Sequence, residues 1–183
     1  MSRLQFADNT ALINFCLIGR LDLLQRIMNG GGTWSATVQI ECEESAHYPG
    51  CADLALVHEF LGEPHAPESD AERDAVKAAW EYLREPGDGP EKHLGEAETI
   101  AIIATRGLLA IVVTDDTGAM RLARRHEVKV ATTADLIVLA VKAGFLDAQA
   151  AWDYLTVLQT THQRFLPRAP ESFAHLRARC GLI

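Results

Sequence analysis

The sequence predicts an α/β protein, a three-layer α/β/α sandwich around a mainly parallel central sheet. Short apolar strands alternate along the chain with amphipathic helices, and the segment 109–114 is almost entirely apolar. Such a run is typical of a parallel strand that helices cover on both faces. Because functional groups in these sheets gather at the carboxyl ends of the strands, we expect the important polar residues there.

The composition is that of a soluble globular protein with one core. The chain has 183 residues, of which 48% are hydrophobic, and its mean hydropathy is +0.00. A chain of this length buries one substantial core. No apolar run reaches the roughly 18 residues that cross a bilayer, and the N-terminus lacks the apolar stretch of a signal peptide. We therefore expect a cytoplasmic protein that does not enter membranes.

Charge and cysteine content exclude several classes of protein. A net charge of −8 argues against nonspecific binding of nucleic acid over the whole surface, but it allows a nuclease whose acidic side chains hold metal ions. The four cysteines form no CxxC pair, so we expect buried reduced thiols rather than disulfides or zinc. The histidines show no HExxH or paired spacing, and we assign them no metal role.

The first half of the chain predicts a strand and then a series of helices. The strand covers 4–7, and a helix that follows Asp8 ends at Gly19. The other predicted elements here are a helix over 21–28, a short strand passing into a helix over 33–41, a helix over 52–61 and a helix over 70–84.

The second half predicts strands and helices in alternation. The expected elements are a helix over 95–106, a strand over 109–114, a helix over 117–126, a strand over 128–131 and a helix from 132 that Gly144 ends. We assign residues 1–160 to one domain. Residues 161–183 are expected to be a C-terminal extension that packs on this domain or trails from it.

Acidic side chains lie where apolar elements end or begin. They are Asp8, Glu41, Glu96, Glu98, Asp115 and Asp116. Hard divalent cations prefer oxygen ligands, and a pair of them about 3.5–4 Å apart activates water for phosphodiester cleavage. The pattern therefore predicts a metal site, although a single acid of this kind also serves as a helix cap or a partner of the helix dipole.

Five segments resemble the PIN-domain family, which includes the ribonuclease toxins of bacterial VapBC toxin-antitoxin pairs. The segments are 7–15, 38–41, 95–101, 113–116 with 121–123, and 140–144. The resemblance extends over roughly residues 4–158. It implies an α/β/α sandwich, a Mg²⁺- or Mn²⁺-dependent endoribonuclease that hydrolyses RNA, and an antitoxin partner whose C-terminal segment covers the acidic groove. A homodimer is also expected.

The resemblance also implies roles for individual residues. The matching acids are Asp8 after the first strand, Glu41 in a helix, Glu96 or Glu98 at the start of the later helix, and Asp115 or Asp116 after the later strand. We favour Asp8, Glu41, Glu96 and Asp115 as the catalytic set, with Glu98 and Asp116 as further metal ligands.

Four further residues are candidates for binding substrate. Thr10 is placed to hydrogen-bond a ligand carboxylate or water, and Arg121, Arg124 and Arg125 follow the aspartates at a spacing that suits phosphate contacts. The alternative function is a catalytically inactive PIN-fold module that binds RNA or serves in assembly.

Overall fold

One parallel sheet forms the centre of the computed structural model, which describes residues 3–182. Its strands are β1 (Leu4–Ala7), β2 (Gly32–Thr33), β3 (Ala110–Val113) and β4 (Lys129–Ala131). They lie in the order β2-β1-β3-β4, and each neighbouring pair is parallel. The predicted α/β class with a mainly parallel sheet is confirmed.

Helices account for most of the remaining described chain. They are α1 (Asn9–Leu17), α2 (Leu21–Met28), α3 (Ala36–Ser45), α4 (His58–Leu61), α5 (Asp70–Leu83), α6 (Leu94–Arg106), α7 (Thr117–Arg125), α8 (Thr133–Lys142), α9 (Ala148–Thr160) and α10 (Phe173–Cys180). The predicted helix over 52–61 is instead a 3₁₀ turn at Ala52–Leu56 followed by the short α4.

Alternating strand residues face two separate hydrophobic cores. Phe6 and Val112 pack with α5, α6 and α7, whereas Ala7 and Val113 belong to the core formed with α1, α2, α3 and the C-terminal helices. Successive side chains of a strand point to opposite faces of the sheet. The apolar strands are therefore covered on both sides, as the three-layer arrangement requires.

The strand order creates a crevice at the carboxyl edge of the sheet. The chain passes from β1 to β2 on one side and then to β3 on the other, so the direction of winding reverses between β1 and β3. Parallel α/β sheets bind ligands at such a switch point. Ala7 pairs with Val113 in register, which brings the next residues, Asp8 and Thr114, side by side.

The helices around this crevice begin with specific caps. Ser35 accepts a hydrogen bond from the backbone of Val38 at the start of α3, and Asp116 caps α7 through Ala119. Thr132 and Asp135 form a reciprocal capping box at the start of α8. These caps fix where the chain turns from strand to helix next to the acidic residues.

The described part of the C-terminal extension packs on the sheet domain. Leu176 is fully buried and Cys180 is 7% exposed, and both belong to the core that contains α1 and α8. The helix α10 contacts α8 and α9. Residues 161–182 are therefore a packed segment, while the domain boundary at residue 160 stays a prediction.

Two expectations from the composition can be compared with the structure. All four cysteines are buried, as predicted, and their thiols are free in the structure. Among residues 3–182, no helix combines the length and the apolarity that a bilayer crossing needs.

The packing of α10 predicts the effect of a single truncation. Leu176→Ala removes a fully buried side chain and should lower the free energy of unfolding by about 2–4 kcal/mol, measured by urea denaturation. The matched control is Leu182→Ala, because Leu182 is 47% exposed. That control should change stability by less than about 0.5 kcal/mol. Equal effects of the two substitutions would contradict the packed position of α10.

Candidate functional site

Asp8 lies at the switch point and is only 3% exposed. Its Oδ2 accepts hydrogen bonds from the hydroxyls of Thr10 (2.5 Å) and Thr114 (2.9 Å). The backbone N–H of Thr10 also approaches Oδ2, at 3.4 Å, and makes Asp8 the cap of α1. The predicted cap and the predicted site residue are thus the same side chain. These donors approach one oxygen, which leaves Oδ1 available for another ligand.

Asp115 is buried, and both of its carboxylate oxygens accept hydrogen bonds. The backbone N–H of Thr133 donates to Oδ1 at 3.0 Å, and Asn14 Nδ2 donates to Oδ2 at 2.7 Å. The Thr133 hydroxyl also donates to Oδ2. Arg164 Nε in turn donates to Asn14 Oδ1 at 2.7 Å. Asp115 therefore connects β3 to α1, to α8 and, through Asn14, to the C-terminal segment.

The side chain of Asp116 lies in a different environment from that of Asp115. Its Oδ1 accepts the capping bond from Ala119 N at 2.6 Å, and its side chain is not buried. Asp116, Glu96 and His93 each offer one ligand atom, and these three atoms lie within 4.8 Å of one another. Asp116 is thus better placed than Asp115 to act as an open ligand.

Glu96 and Glu98 point to different parts of the molecule. The carboxylate of Glu98 accepts hydrogen bonds from Thr37 N at 2.8 Å and from Thr37 Oγ1 at 2.9 Å, one on each oxygen. Glu98 therefore stabilises the start of α3, and its role as a metal ligand stays a prediction. Glu96 instead lies close enough to Asp8, Glu41 and Asp116 for their charges to affect its pKa.

Glu41 lies beside the start of α6. Together with Asp8, Glu96 and Asp116 it forms a group that we call the acidic cluster. Its Oε1 accepts a hydrogen bond from Gly95 N at 3.2 Å. A Cβ atom at position 95 would lie 2.7 Å from the same oxygen, closer than side chains tolerate. The glycine in this segment therefore has a defined role, because it lets the carboxylate of Glu41 approach the backbone beside Glu96.

The electrostatics of the cluster indicate an uncompensated excess of negative charge. Burial raises the pKa of Glu41 to about 7 and that of Glu96 to about 9, and repulsion from Asp8 is the next cause for both. Burial also raises the pKa of Asp8, with a smaller contribution from Asp116, and raises the pKa of Asp115. A bound cation would compensate this charge, so the residues fit a divalent metal ion.

The four predicted substrate-binding residues lie in different surroundings. The Thr10 hydroxyl donates to Asp8 and accepts from Asp115 N at 3.1 Å, so it orients carboxylates. Asp116 and Arg121 both approach Gly118, at 2.9 and 3.8 Å from the position of a Cβ atom there. Arg121 therefore lies beside the cluster.

The other two arginines, Arg124 and Arg125, have neighbours outside the acidic cluster. The Arg125 guanidinium lies over the ring of Tyr82, 5.2 Å from its centroid, and Arg124 lines a surface pocket with Arg168. Contacts of Arg124 and Arg125 with substrate stay predictions.

Two residues near the cluster were missed from the sequence. Asn14 is fully buried and orients Asp115. The sequence offered one indication of this role, a polar residue among the apolar residues of α1, and that indication is weak by itself. His93 lies in the group with Glu96 and Asp116, and we assigned it no role there from the sequence. The sequence indicated this proximity by the three-residue spacing of His93 and Glu96 at the start of a helix.

The fold and the cluster define a parallel α/β protein with a carboxylate-lined site at the carboxyl edge of its sheet. A family model described as a PIN domain matches residues 6–173. The chain therefore belongs to the PIN-domain family, whose fold is of the nuclease type. Searches of curated proteins and of solved structures gave no match.

The raised carboxyl pKa values predict how the metal-free protein responds to pH. Folding raises the pKa from the ordinary 4.5 to about 7 for Glu41 and about 9 for Glu96. Over that range the native state binds more protons than the unfolded chain, so the free energy of unfolding falls as pH rises. Urea denaturation with a chelator present should show a fall of several kcal/mol between about pH 5 and about pH 9, because each unit of raised pKa is worth about 1.4 kcal/mol.

The matched control is a double variant, Glu41→Gln with Glu96→Gln. It removes the two titrating groups, and the fall in stability with pH should become smaller. A wild-type protein whose stability rises over this range, or a double variant with the same pH dependence as wild type, would contradict the electrostatic interpretation.

Proposed function

We propose that this protein is a Mg²⁺- or Mn²⁺-dependent endoribonuclease that hydrolyses phosphodiester bonds of RNA. The observation that carries the proposal is the convergence of Asp8, Glu41, Glu96 and Asp116 at the switch point, with raised pKa values for Asp8, Glu41 and Glu96. Membership of the PIN-domain family supports a nuclease rather than another metal-dependent activity.

The proposed metal ligands are the carboxylates that other protein groups leave available. Asp8 retains Oδ1 and Asp116 retains Oδ2, and Glu96 is close enough to Asp8, Glu41 and Asp116 for their charges to raise its pKa after the larger effect of burial. A bound divalent cation would supply activation of water and stabilisation of the leaving oxygen. Asp115 belongs to the site as a buried positioning residue, because its own oxygens are bound by Thr133 and Asn14.

The supporting residues hold these carboxylates in place for the reaction. Thr10 and Thr114 donate to Asp8 from two different elements, α1 and the end of β3. A carboxylate that is fixed before the substrate arrives does not need to reorganise during the reaction. These hydroxyls hold the carboxylate of Asp8 in position, so they should affect catalysis without touching the substrate.

Arg121 is the proposed contact with the RNA backbone. It is exposed on α7, and its guanidinium approaches Gly118 beside Asp116. An arginine in this position can donate to a phosphate oxygen as the scissile bond reaches the carboxylates. Because the protein carries a net charge of −8, such a local positive group matters more than the charge of the whole surface.

The biological role that we propose is the toxin of a toxin-antitoxin pair in the cytoplasm. The support is the resemblance of five ordered segments to toxins of this family, together with the family match. The proposed partners are the RNA substrate, an antitoxin that covers the acidic crevice, and a second copy of the chain in a homodimer.

Substitution of the proposed ligands tests the enzymatic proposal. Asp8→Asn, Glu96→Gln and Asp116→Asn keep the side-chain shape but remove the charge, and each should lower the rate of RNA cleavage by about 100-fold or more with Mg²⁺ or Mn²⁺. Glu43→Gln is the matched control, because Glu43 is exposed on the same helix as Glu41. That variant should cleave RNA at the wild-type rate.

Two results would overturn the proposal in different ways. A wild-type protein that binds RNA but cleaves none in either metal supports the inactive RNA-binding alternative. Cleavage that persists unchanged in Asp8→Asn and Asp116→Asn would show that the activity belongs to another site or to a contaminant.

A further inference from the structure

His93 occupies an unusual position at the start of α6. It is the residue immediately before the helix, has a left-handed backbone with φ of 67°, and makes no side-chain capping hydrogen bond. Its side chain is only 14% exposed. The imidazole ring is therefore held inside the protein without the capping role that residues at this position usually perform.

The two ring nitrogens of His93 face two different carboxylates. Nε2 lies 3.7 Å from Asp88 Oδ2, and Nδ1 lies 3.8 Å from Glu96 Oε1. Both distances are longer than a hydrogen bond. Two ligands of one cation, each bound at about 2.1 Å, lie between about 3 and 4.2 Å apart. The separation of Nδ1 from Glu96 therefore suits a shared ion better than a direct bond.

Asp88 is fixed independently of His93. Its Oδ2 accepts a hydrogen bond from Glu85 N at 2.8 Å, and its Oδ1 accepts one from Lys92 Nζ at 2.6 Å. A carboxylate that attracts one N–H of an imidazole directs the lone pair of the other nitrogen toward a metal. Asp88 thus stands where an orienting residue for a metal-binding histidine would be needed.

We propose that His93 Nδ1 is a nitrogen ligand of the cation held by Glu96 and Asp116, and that it makes this site select Mn²⁺ over Mg²⁺. The inference rests on the proposed metal-dependent function and adds the identity of the metal. Mg²⁺ binds mainly oxygen ligands and retains several waters. A first-row transition-metal ion accepts imidazole nitrogen more readily. A site of one imidazole and two carboxylates therefore favours the transition metal.

Metal binding to purified protein tests the assignment directly. Calorimetric titration with MnCl₂ and with MgCl₂ would compare wild type with His93→Asn, since asparagine tolerates the left-handed backbone and removes the imidazole. We expect Mn²⁺ affinity to fall about tenfold or more, while Mg²⁺ affinity changes less than about threefold. His126→Gln is the matched control, because His126 is exposed at the end of α7. It should bind both ions as wild type does.

A second variant and a spectrum keep the test independent of folding defects. Asp88→Asn leaves the imidazole in place but weakens its orientation, and it should lower Mn²⁺ affinity by a smaller factor than His93→Asn. Co²⁺ bound to the wild type should give a visible absorption band that shifts in His93→Asn and not in His126→Gln. Circular dichroism establishes that the variants are folded.

The outcomes separate this inference from the proposed nuclease activity. Equal loss of Mn²⁺ and Mg²⁺ binding in His93→Asn, or no loss of either, would show that His93 is only a charge partner of Asp88 and Glu96, and the inference would be wrong. Selective loss of Mn²⁺ binding in a protein that cleaves no RNA would support the inference and contradict the nuclease. Absence of metal binding in the wild type would overturn both.

Discussion

Carboxylates meet in a largely buried position at the carboxyl edge of the sheet, where burial and mutual repulsion both oppose their ionisation. Asp8, Glu41 and Glu96 come from three different helices or strand ends, and burial, followed by the charge of neighbouring carboxylates, raises the pKa of each. Buried carboxylates placed near one another do not stabilise the folded protein by themselves. The surrounding hydrogen bonds hold the carboxylates together at a cost in stability, and such a cost is typical of functional sites.

The sheet topology explains why these residues meet. Asp8 follows β1 and Asp115 follows β3, and these neighbouring strands lie where the winding of the sheet reverses. The hydroxyls of Thr10 and Thr114 then bind Asp8, and the side chain of Asn14 binds Asp115. The fold thus provides a crevice, and short polar side chains fix the acids inside it. Arg164 extends this network to the C-terminal segment.

The strands and most helices could be predicted because their apolar patterns and caps are local. The direction in which an individual acidic side chain points could not be predicted in this way. Residues two apart on a helix point about 200° apart, so Glu98 faces Thr37 whereas Glu96 faces the cluster. Asp115 and Asp116 are adjacent after a strand and likewise face different neighbours. These choices depend on contacts between distant segments, which periodicity does not encode.

Anomalous diffraction from crystals soaked in Mn²⁺ shows whether these carboxylates hold a metal ion. We expect a strong peak within coordination distance, about 2.2 Å, of carboxylate oxygens of Glu96 and Asp116, in the crevice beside Asp8. Mn²⁺ bound at other surface carboxylates, with no peak beside Glu96 and Asp116, would contradict this expectation. In that case the raised pKa values of the cluster would need an explanation other than metal binding.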